Sequence, residues 1–213
     1  MLLKWSFGNE KLKRTDTVSF NLPAFRSETG FQVCPMAGVC ASYCYARQGR
    51  YLMPNSKDAR EFNLALVRAD LAAFERFAAI DLGHIRQRTI RVHDSGDFFS
   101  QEYLDCWLRL AARFPAKRFY CYTKSIHFDW SATPPNFQRV QSTGGKMDAA
   151  IDREQPHTRV FVSGEARRLA GYVNGNQTDR PAMRGERKIG FVYHGSTRLS
   201  PAMARVIQGK RQG

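Results

Sequence analysis

Short apolar runs alternate along this chain with longer segments of helical periodicity, and no other feature constrains the fold as strongly. The predicted strands are residues 30–35, 89–93, 118–122, 137–141, 158–162 and 189–193. The predicted helices are residues 55–79, 101–114, 146–153 and 166–173. Strands separated by helices are typical of a parallel sheet. The alternation therefore predicts an α/β protein.

Nearly every predicted strand ends in a polar, charged or glycine-containing cluster. In a barrel the functional site is built from many carboxyl strand ends, whereas a doubly wound sheet concentrates ligand groups at one switch point. We therefore expect an open (β/α)6 partial TIM-type barrel with mainly parallel strands. A single domain is expected over residues 1–213. Its predicted parts are a basic lead-in at 1–30 with one edge strand near 18–23, a barrel at 31–200 and a basic tail at 201–213.

Three of the five cysteines, Cys34, Cys40 and Cys44, lie within eleven residues. Soft sulfur ligands favour zinc, copper(I) or iron–sulfur centres. The spacing does not match the paired Cys-x-x-Cys units of a structural zinc site. Three thiolates without an obvious fourth suit a [4Fe–4S] cluster whose open iron binds S-adenosylmethionine. Zinc remains the alternative, with the fourth ligand drawn from Cys106, Cys121, His93 or His194.

The predicted strand at 89–93 ends in an acidic turn that runs from His93 to Asp97. In the iron–sulfur interpretation, Gly96 allows close backbone approach and Asp97 accepts hydrogen bonds from the methionine amino group. Asp94 or Asp97 acting as a general base or nucleophile is an alternative. A third interpretation is that the segment only caps the helix that starts near Gln101, with Ser100 or Asp97 accepting from its free amides.

Further candidates come from other strand ends and from the cysteine segment. Lys124 is suited to a phosphate or a cofactor carboxylate, and His194 to a ligand or acid–base role. The candidate catalytic residues are Asp94, Asp97, His93 and Lys124. The candidate cofactor-binding residues are Tyr45, Ser95, Gly96, Asp97, Ser142, Ser163, Glu165 and His194. The candidate metal ligands are Cys34, Cys40 and Cys44.

Several motifs in the chain resemble the phage "gene product 88" family. They are Cys34-Pro35 through Cys44-Tyr45-Ala46-Arg47, Gly49-Arg50-Tyr51, Pro54-Asn55, His93-Asp94-Ser95-Gly96-Asp97-Phe98-Phe99 and Tyr122-Thr123-Lys124. More distantly, the Cys-Tyr-Ala, Ser-Gly-Asp and Thr-Lys segments are similar to radical S-adenosylmethionine-like phage proteins. This likeness implies an iron–sulfur cluster and S-adenosylmethionine as cofactors. The turn at 94–98 also resembles the Asp-Ser-Gly-Gly-Phe turn of tRNA-guanine transglycosylases, which exchange a base through an aspartate.

The chain is strongly basic, with 33 Lys and Arg residues against 19 Asp and Glu residues and a formal charge of +14. Such an excess favours nucleic acid, DNA or RNA, as a partner. No apolar run approaches membrane-spanning length, and no secretory signal is evident, so we expect a soluble, cytoplasmic protein. The pattern does not indicate an oligomeric state.

These features together predict an iron–sulfur, S-adenosylmethionine-dependent, radical-type enzyme that acts on nucleic acid or a nucleotide-derived substrate. Two alternatives remain. One is a transglycosylase-like enzyme that exchanges a base through an aspartate, and the other is a zinc-stabilised nucleic-acid-binding protein.

Overall fold

The computed structural model describes residues 1–8, 10–193 and 200–208. Over these residues one sheet has eight strands. They are β1 (Trp5–Ser6), β2 (Thr17–Phe20), β3 (Thr89–Val92), β4 (Arg118–Thr123), β5 (Phe137–Ser142), β6 (His157–Phe161), β7 (Val173–Asn174) and β8 (Lys188–Val192). Their order is β1-β2-β3-β4-β5-β6-β8-β7, with β1 antiparallel to β2 and every other pair parallel.

Seven α-helices accompany the sheet within the described part of the chain. They are α1 (Glu10–Lys13), α2 (Pro54–Ala69), α3 (Leu71–His84), α4 (Gln101–Arg113), α5 (Gly164–Leu169), α6 (Arg180–Met183) and α7 (Pro201–Gln208). The predicted α/β class and mainly parallel strands are confirmed. The sheet is open, with β1 and β7 at its edges. Its finer description as a partial TIM-type barrel stays a prediction.

The main core lies between the first strands of the sheet and helices α2, α3 and α4. Its centre is an aromatic cluster in which the rings of Phe20, Phe74 and Trp107 lie 5.3–5.6 Å apart. The sequence predicted one helix over 55–79, but the structure has two. Asp70 adopts an extended backbone between them, and its carboxylate caps α3 by accepting from the Ala73 N–H at 2.8 Å.

The start of the sheet differs from the prediction. The segment 30–35 is not a strand, and it contributes only an isolated bridge between Arg26 and Gln32. Instead, β2 occupies the first parallel position, and β1 lies outside it. Val18 and Phe20 of β2 are fully buried. The predicted edge strand is therefore an interior strand, because its apolar side chains fill the core.

The connection between β5 and β6 also differs from the prediction. In place of the helix predicted over 146–153 there is only a 3₁₀ turn, Asp148–Ala150. The Asp148 carboxylate accepts from the backbone N–H groups of Gly144 and Gly145 at 2.9 and 2.8 Å. The aspartate thus stabilises a tight turn rather than a longer helix. The helix predicted over 166–173 is shorter, Gly164–Leu169, and Gly171 follows it with φ of 72°.

Asp179, just before α6, binds side chains from several elements in the interior of the fold. Its carboxylate accepts hydrogen bonds from Lys11 Nζ at 2.8 Å, Arg91 at 3.1 Å, and the hydroxyl groups of Tyr120 and Tyr122, both at 2.9 Å. The side chain is fully buried. Burial alone would raise the pKa of Asp179, but Arg91 and Lys11 outweigh it and hold the pKa below its ordinary value. Asp179 is therefore ionised, and it joins α1, β3 and β4 to the α6 segment.

Replacing Asp179 by Asn should lower the free energy of unfolding by about 3–5 kcal/mol, because two buried cations lose their counter-charge. Urea denaturation of the full chain measures this change. Asp58→Asn is the matched control, because Asp58 is exposed on α2. The control should stay within about 0.5 kcal/mol of the parent protein. A D179N variant as stable as D58N would show that Asp179 does not carry this role.

Candidate functional site

A cavity of about 390 Å³ lies at the carboxyl ends of the parallel strands. We call it the site cavity. On one side it is lined by the cysteine loop, residues 34–47, which belongs to the connection between β2 and α2. On the other side it is lined by strand-end residues. Those with polar side chains include Arg91, His93, Asp94, Ser95, Asp97, Lys124, Ser142 and Thr158.

The three clustered cysteines all line the site cavity and are partly exposed. Burial raises the pKa of both Cys34 and Cys44. The backbone N–H of Phe25 lies 3.4 Å from Cys34 Sγ and donates to it. Among the described residues, no three Cys, His, Asp or Glu side chains are grouped so as to hold one metal ion. The three thiols thus share one cavity.

The cysteine loop is held by the turn that follows β5. Gly38 and Cys40 donate their backbone N–H groups to the carbonyl of Gly144 at 3.2 and 3.0 Å. Space here is tight, since a Cβ on Gly38 would lie 2.9 Å from the carbonyl carbon of Gly145. The turn at 142–145 begins with Ser142, one of the predicted cofactor-binding residues. In the structure its glycines pack against the cysteine loop.

Lys124, at the end of β4, faces the thiols across the cavity. Its Nζ donates to Ser142 Oγ at 3.0 Å. Burial opposes the charge on Lys124, but Cys40 and Asp97 outweigh it, so the pKa of Lys124 lies above its ordinary value. Lys124 is therefore a partly buried cation beside the cysteine cluster.

Asp97, in the turn after β3, binds the end of β4 through hydrogen bonds. One carboxylate oxygen accepts from Thr123 Oγ1 at 2.6 Å and from the Phe98 N–H at 2.8 Å, and the other accepts from the Lys124 N–H at 2.9 Å. Burial still raises its pKa against these hydrogen bonds. The helix cap predicted as one role for this turn belongs to Ser100, which accepts from the Tyr103 N–H. Both Asp97 oxygens are thus engaged by the protein.

The acidic turn is fixed against the residue that follows β2. Ser95 Oγ donates to the Leu22 carbonyl at 2.7 Å, and the Leu22 N–H donates to the Ser95 carbonyl at 3.1 Å. Gly96 has φ of 86°, and a Cβ there would lie 2.6 Å from Leu22 Cβ. Only glycine satisfies both conditions. The predicted close backbone approach at Gly96 is therefore real, but the approaching group is Leu22.

Asp94 keeps one carboxylate oxygen without a protein partner. Tyr51 donates its hydroxyl to Asp94 Oδ2 at 3.2 Å, whereas Oδ1 is buried and has no hydrogen-bond partner among the described residues. Burial raises the pKa of Asp94, partly offset by Arg91. Of the two aspartates in the turn, Asp94 is the one with a free acceptor at the cavity.

Tyr45 links the cysteine loop to the buried Asp179 group. Its hydroxyl donates to the Asp94 carbonyl, and Arg91, which also binds Asp179, donates to the same hydroxyl at 3.3 Å. Tyr45 directly follows Cys44. The position of the last cysteine is thus coupled to the interior of the fold.

Some predicted residues do not join this cavity. Ser163 caps α5 by accepting from the Ala166 N–H at 3.1 Å, and neither Ser163 nor Glu165 is among the described residues that line the cavity. His194 lies outside the described residues. Four residues that line the site cavity were not among the predicted site residues: Lys11, Arg91, Thr158 and Asn176. Arg91 could have been identified from the sequence, because a cation lies between the apolar residues Ile90 and Val92 of a predicted strand.

The fold and the cavity define an α/β protein with an open, mainly parallel sheet and a candidate site at its carboxyl strand ends. The family model for Gene product 88 matches residues 1–208. The chain therefore belongs to the gene product 88 family, as its motifs predicted. No curated protein and no solved structure matches it. In the described part of the chain, every helix is too short or too polar to cross a membrane.

His93 provides a pH-dependent test of the site. Burial, with Arg91 nearby, lowers its pKa to about 3, whereas a histidine in the unfolded chain titrates near pH 6.5. Between about pH 7.5 and 5.5 the unfolded chain gains a proton that the folded chain does not. This should lower the free energy of unfolding by about 1.4 kcal/mol.

His93→Asn should remove that loss, and Asn suits the positive φ of 68° at this position. Asp94 and Asp97, with raised pKa values, contribute the opposite slope in both proteins. The measurement is therefore the difference in slope between the parent and H93N by urea denaturation at the two pH values. Equal slopes would show that His93 is not a buried neutral group.

Proposed function

We propose that this protein is an iron–sulfur, S-adenosylmethionine-dependent, radical-type enzyme that acts on nucleic acid or a nucleotide-derived substrate. In this proposal the sheet is a partial TIM-type barrel, and the site cavity is its active site. The observation that carries the proposal is that Cys34, Cys40 and Cys44 face the strand-end groups across one cavity. Carboxyl strand ends are where barrel enzymes carry their reactive groups.

Thiolates are the ligands of iron–sulfur clusters, and a cluster binds each thiolate at a different iron. Cys34, Cys40 and Cys44 line one cavity, and three thiolates would leave one iron of a [4Fe–4S] cluster without a protein ligand. A structural zinc ion would need a fourth protein ligand.

A bound cluster would supply an open iron for the amino and carboxylate groups of S-adenosylmethionine and an electron for its cleavage. Lys124 places a partly buried positive charge beside the thiolates, where Coulomb attraction is stronger than in water. Asp97 holds the Lys124 backbone through its 2.9 Å hydrogen bond. Tyr45 and Arg91 fix the end of the cysteine loop.

The cavity has the size and lining that such chemistry needs. A volume of about 390 Å³ is in the range of small-molecule sites. Much of the wall is apolar and includes Ala24, Ala41, Ala46, Val160 and Phe191. An apolar wall limits water near reactive intermediates. The polar groups at the strand ends remain available to orient the ligand.

One observation favours a second candidate, a base-exchange enzyme that uses an aspartate. Asp94 lines the cavity, and its Oδ1 is buried with no hydrogen-bond partner among the described residues. A carboxylate with an unused oxygen is a candidate nucleophile. Asp97 is less suited to that role, since both its oxygens accept hydrogen bonds. This candidate needs no cluster, so the metal content of the protein separates the two.

Anaerobic reconstitution with iron and sulfide should load the parent protein with about four irons and four sulfides per chain. Replacing Cys34, Cys40 or Cys44 by Ser should remove most of that iron and the absorbance of the cluster, because each thiolate holds one iron. Cys106→Ala is the control, because Cys106 is buried on α4, away from the site cavity.

The control should load iron as the parent does. A parent protein that takes up one zinc and no iron would contradict the proposal. Equal loss of iron in C106A and in the three site variants would also contradict it, because the cluster would then not depend on the cysteine loop.

A further inference from the structure

A second cavity of about 800 Å³ lies along β6. Thr158 lines the site cavity, whereas its neighbours His157 and Arg159 line the second one. Since successive strand residues point to opposite faces, the two cavities lie on opposite sides of β6. We call the second cavity the β6 groove. Its charged walls come from Asp148, Arg153, Glu154, Arg159, Arg187 and Lys188.

The β6 groove carries excess positive charge. Its two acids are already engaged, because Glu154 pairs with Arg187 at 2.5 Å and Asp148 accepts from the Gly144 and Gly145 N–H groups. Arg153 and Arg159 are exposed, and Lys188 is half-buried. Among the described residues, no carboxylate forms an ion pair with these three cations. They are available to an anionic ligand.

The two cavities meet at a gap in the sheet. Strands β5 and β6 pair over only two positions, Gln141 with His157 and Ser142 with Thr158. Beyond Thr158, β6 continues to Phe161 with β8 as its partner. Tyr43, Thr143 and Val160 line both cavities. These three residues form the boundary between the groove and the site cavity, at the carboxyl end of β5 where β5 no longer pairs with β6.

The connection between β5 and β6 is short, and all its residues are described. Its one helical turn is Asp148–Ala150, so this connection supplies no crossover helix to pack over the strands. The β6 groove is bounded instead by Tyr172 and by Val206 and Ile207 of α7. Arg153 and Arg159 remain exposed beside these walls.

We propose that the β6 groove binds the phosphate backbone of a single-stranded nucleic acid and delivers one nucleotide through the β5–β6 gap into the site cavity. This inference deepens the proposed function and rests on it only in naming the nucleotide as substrate. Arg153, Arg159 and Lys188 contact the phosphates. Tyr43, which lines both cavities, is buried between them.

The geometry favours a single strand over a duplex or a free nucleotide. A base inside a duplex cannot reach an enclosed site without leaving the stack. The site cavity, at about 390 Å³, has no room for a double helix. A free nucleotide would need only that cavity, whereas the charges of the β6 groove extend along β6 away from it. An extended polyanion uses both.

The test measures binding of short, dye-labelled single-stranded RNA and DNA of one sequence, and of the matching duplexes, by fluorescence anisotropy over a range of salt concentrations. The groove variant carries Arg153→Gln, Arg159→Gln and Lys188→Gln. The control carries Arg76→Gln, Arg86→Gln and Arg118→Gln, which remove the same charge from exposed positions outside both cavities. Both variants leave a formal charge of +11, three below the +14 of the parent.

The groove variant should bind single strands on the order of 100-fold more weakly at about 0.1 M salt, with a salt slope lower by about 2, because three phosphate contacts are lost. The control should bind as the parent does. Comparable losses in both variants would assign binding to overall charge and overturn the proposal. Tighter binding of the duplex would also overturn it, and the RNA and DNA arms identify the natural polymer.

A strand that contains 2-aminopurine tests delivery of the nucleotide. Its fluorescence should rise on binding, because the base leaves the stack. Binding without that rise would contradict delivery through the gap. Both assays use the protein before iron reconstitution, so a negative result here leaves the iron measurement intact, and loss of the iron result leaves the binding result intact.

Discussion

The buried Asp179 carboxylate is the interaction on which the geometry of the site depends. It neutralises Lys11 and Arg91 in the interior and accepts from two tyrosine hydroxyls of β4. Leaving either cation unpaired there would cost several kcal/mol. Arg91 then reaches Tyr45, which follows the last clustered cysteine. A charge balance inside the sheet therefore sets the position of a loop at its surface.

Local patterns predicted most parallel strands and helix α4, but they missed the break at Asp70 and predicted a helix where the Asp148 turn lies. Helix α4 begins at the predicted residue, Gln101, because its apolar face is regular and Ser100 caps it. The path of the cysteine loop was not predictable in the same way. Gly38 and Cys40 donate to the carbonyl of Gly144, which lies more than a hundred residues away. No local sequence pattern predicts a contact at that separation. The same holds for Arg91 and Asp179, which are 88 residues apart.

The sequence predicted which residues lie together in the candidate site better than it predicted what each residue contacts. Cys34, Cys40, Cys44 and Lys124 do line one cavity, since the carboxyl ends of parallel strands meet at one edge of the sheet. Gly96 and Asp97, in contrast, make their main contacts with the protein itself, at Leu22 and at Thr123. The space beside Gly96 and the hydrogen bonds to Asp97 determine these contacts. Both depend on neighbours that are distant in sequence.

The central claim is that the three thiols hold a cluster with one iron open to S-adenosylmethionine. Mössbauer spectroscopy of protein reconstituted with ⁵⁷Fe tests it most directly. We expect a cluster spectrum in which a single iron site changes when S-adenosylmethionine is added, because only that iron would lack a cysteine ligand. A spectrum that S-adenosylmethionine leaves unchanged, or the absence of any cluster signal, would contradict it.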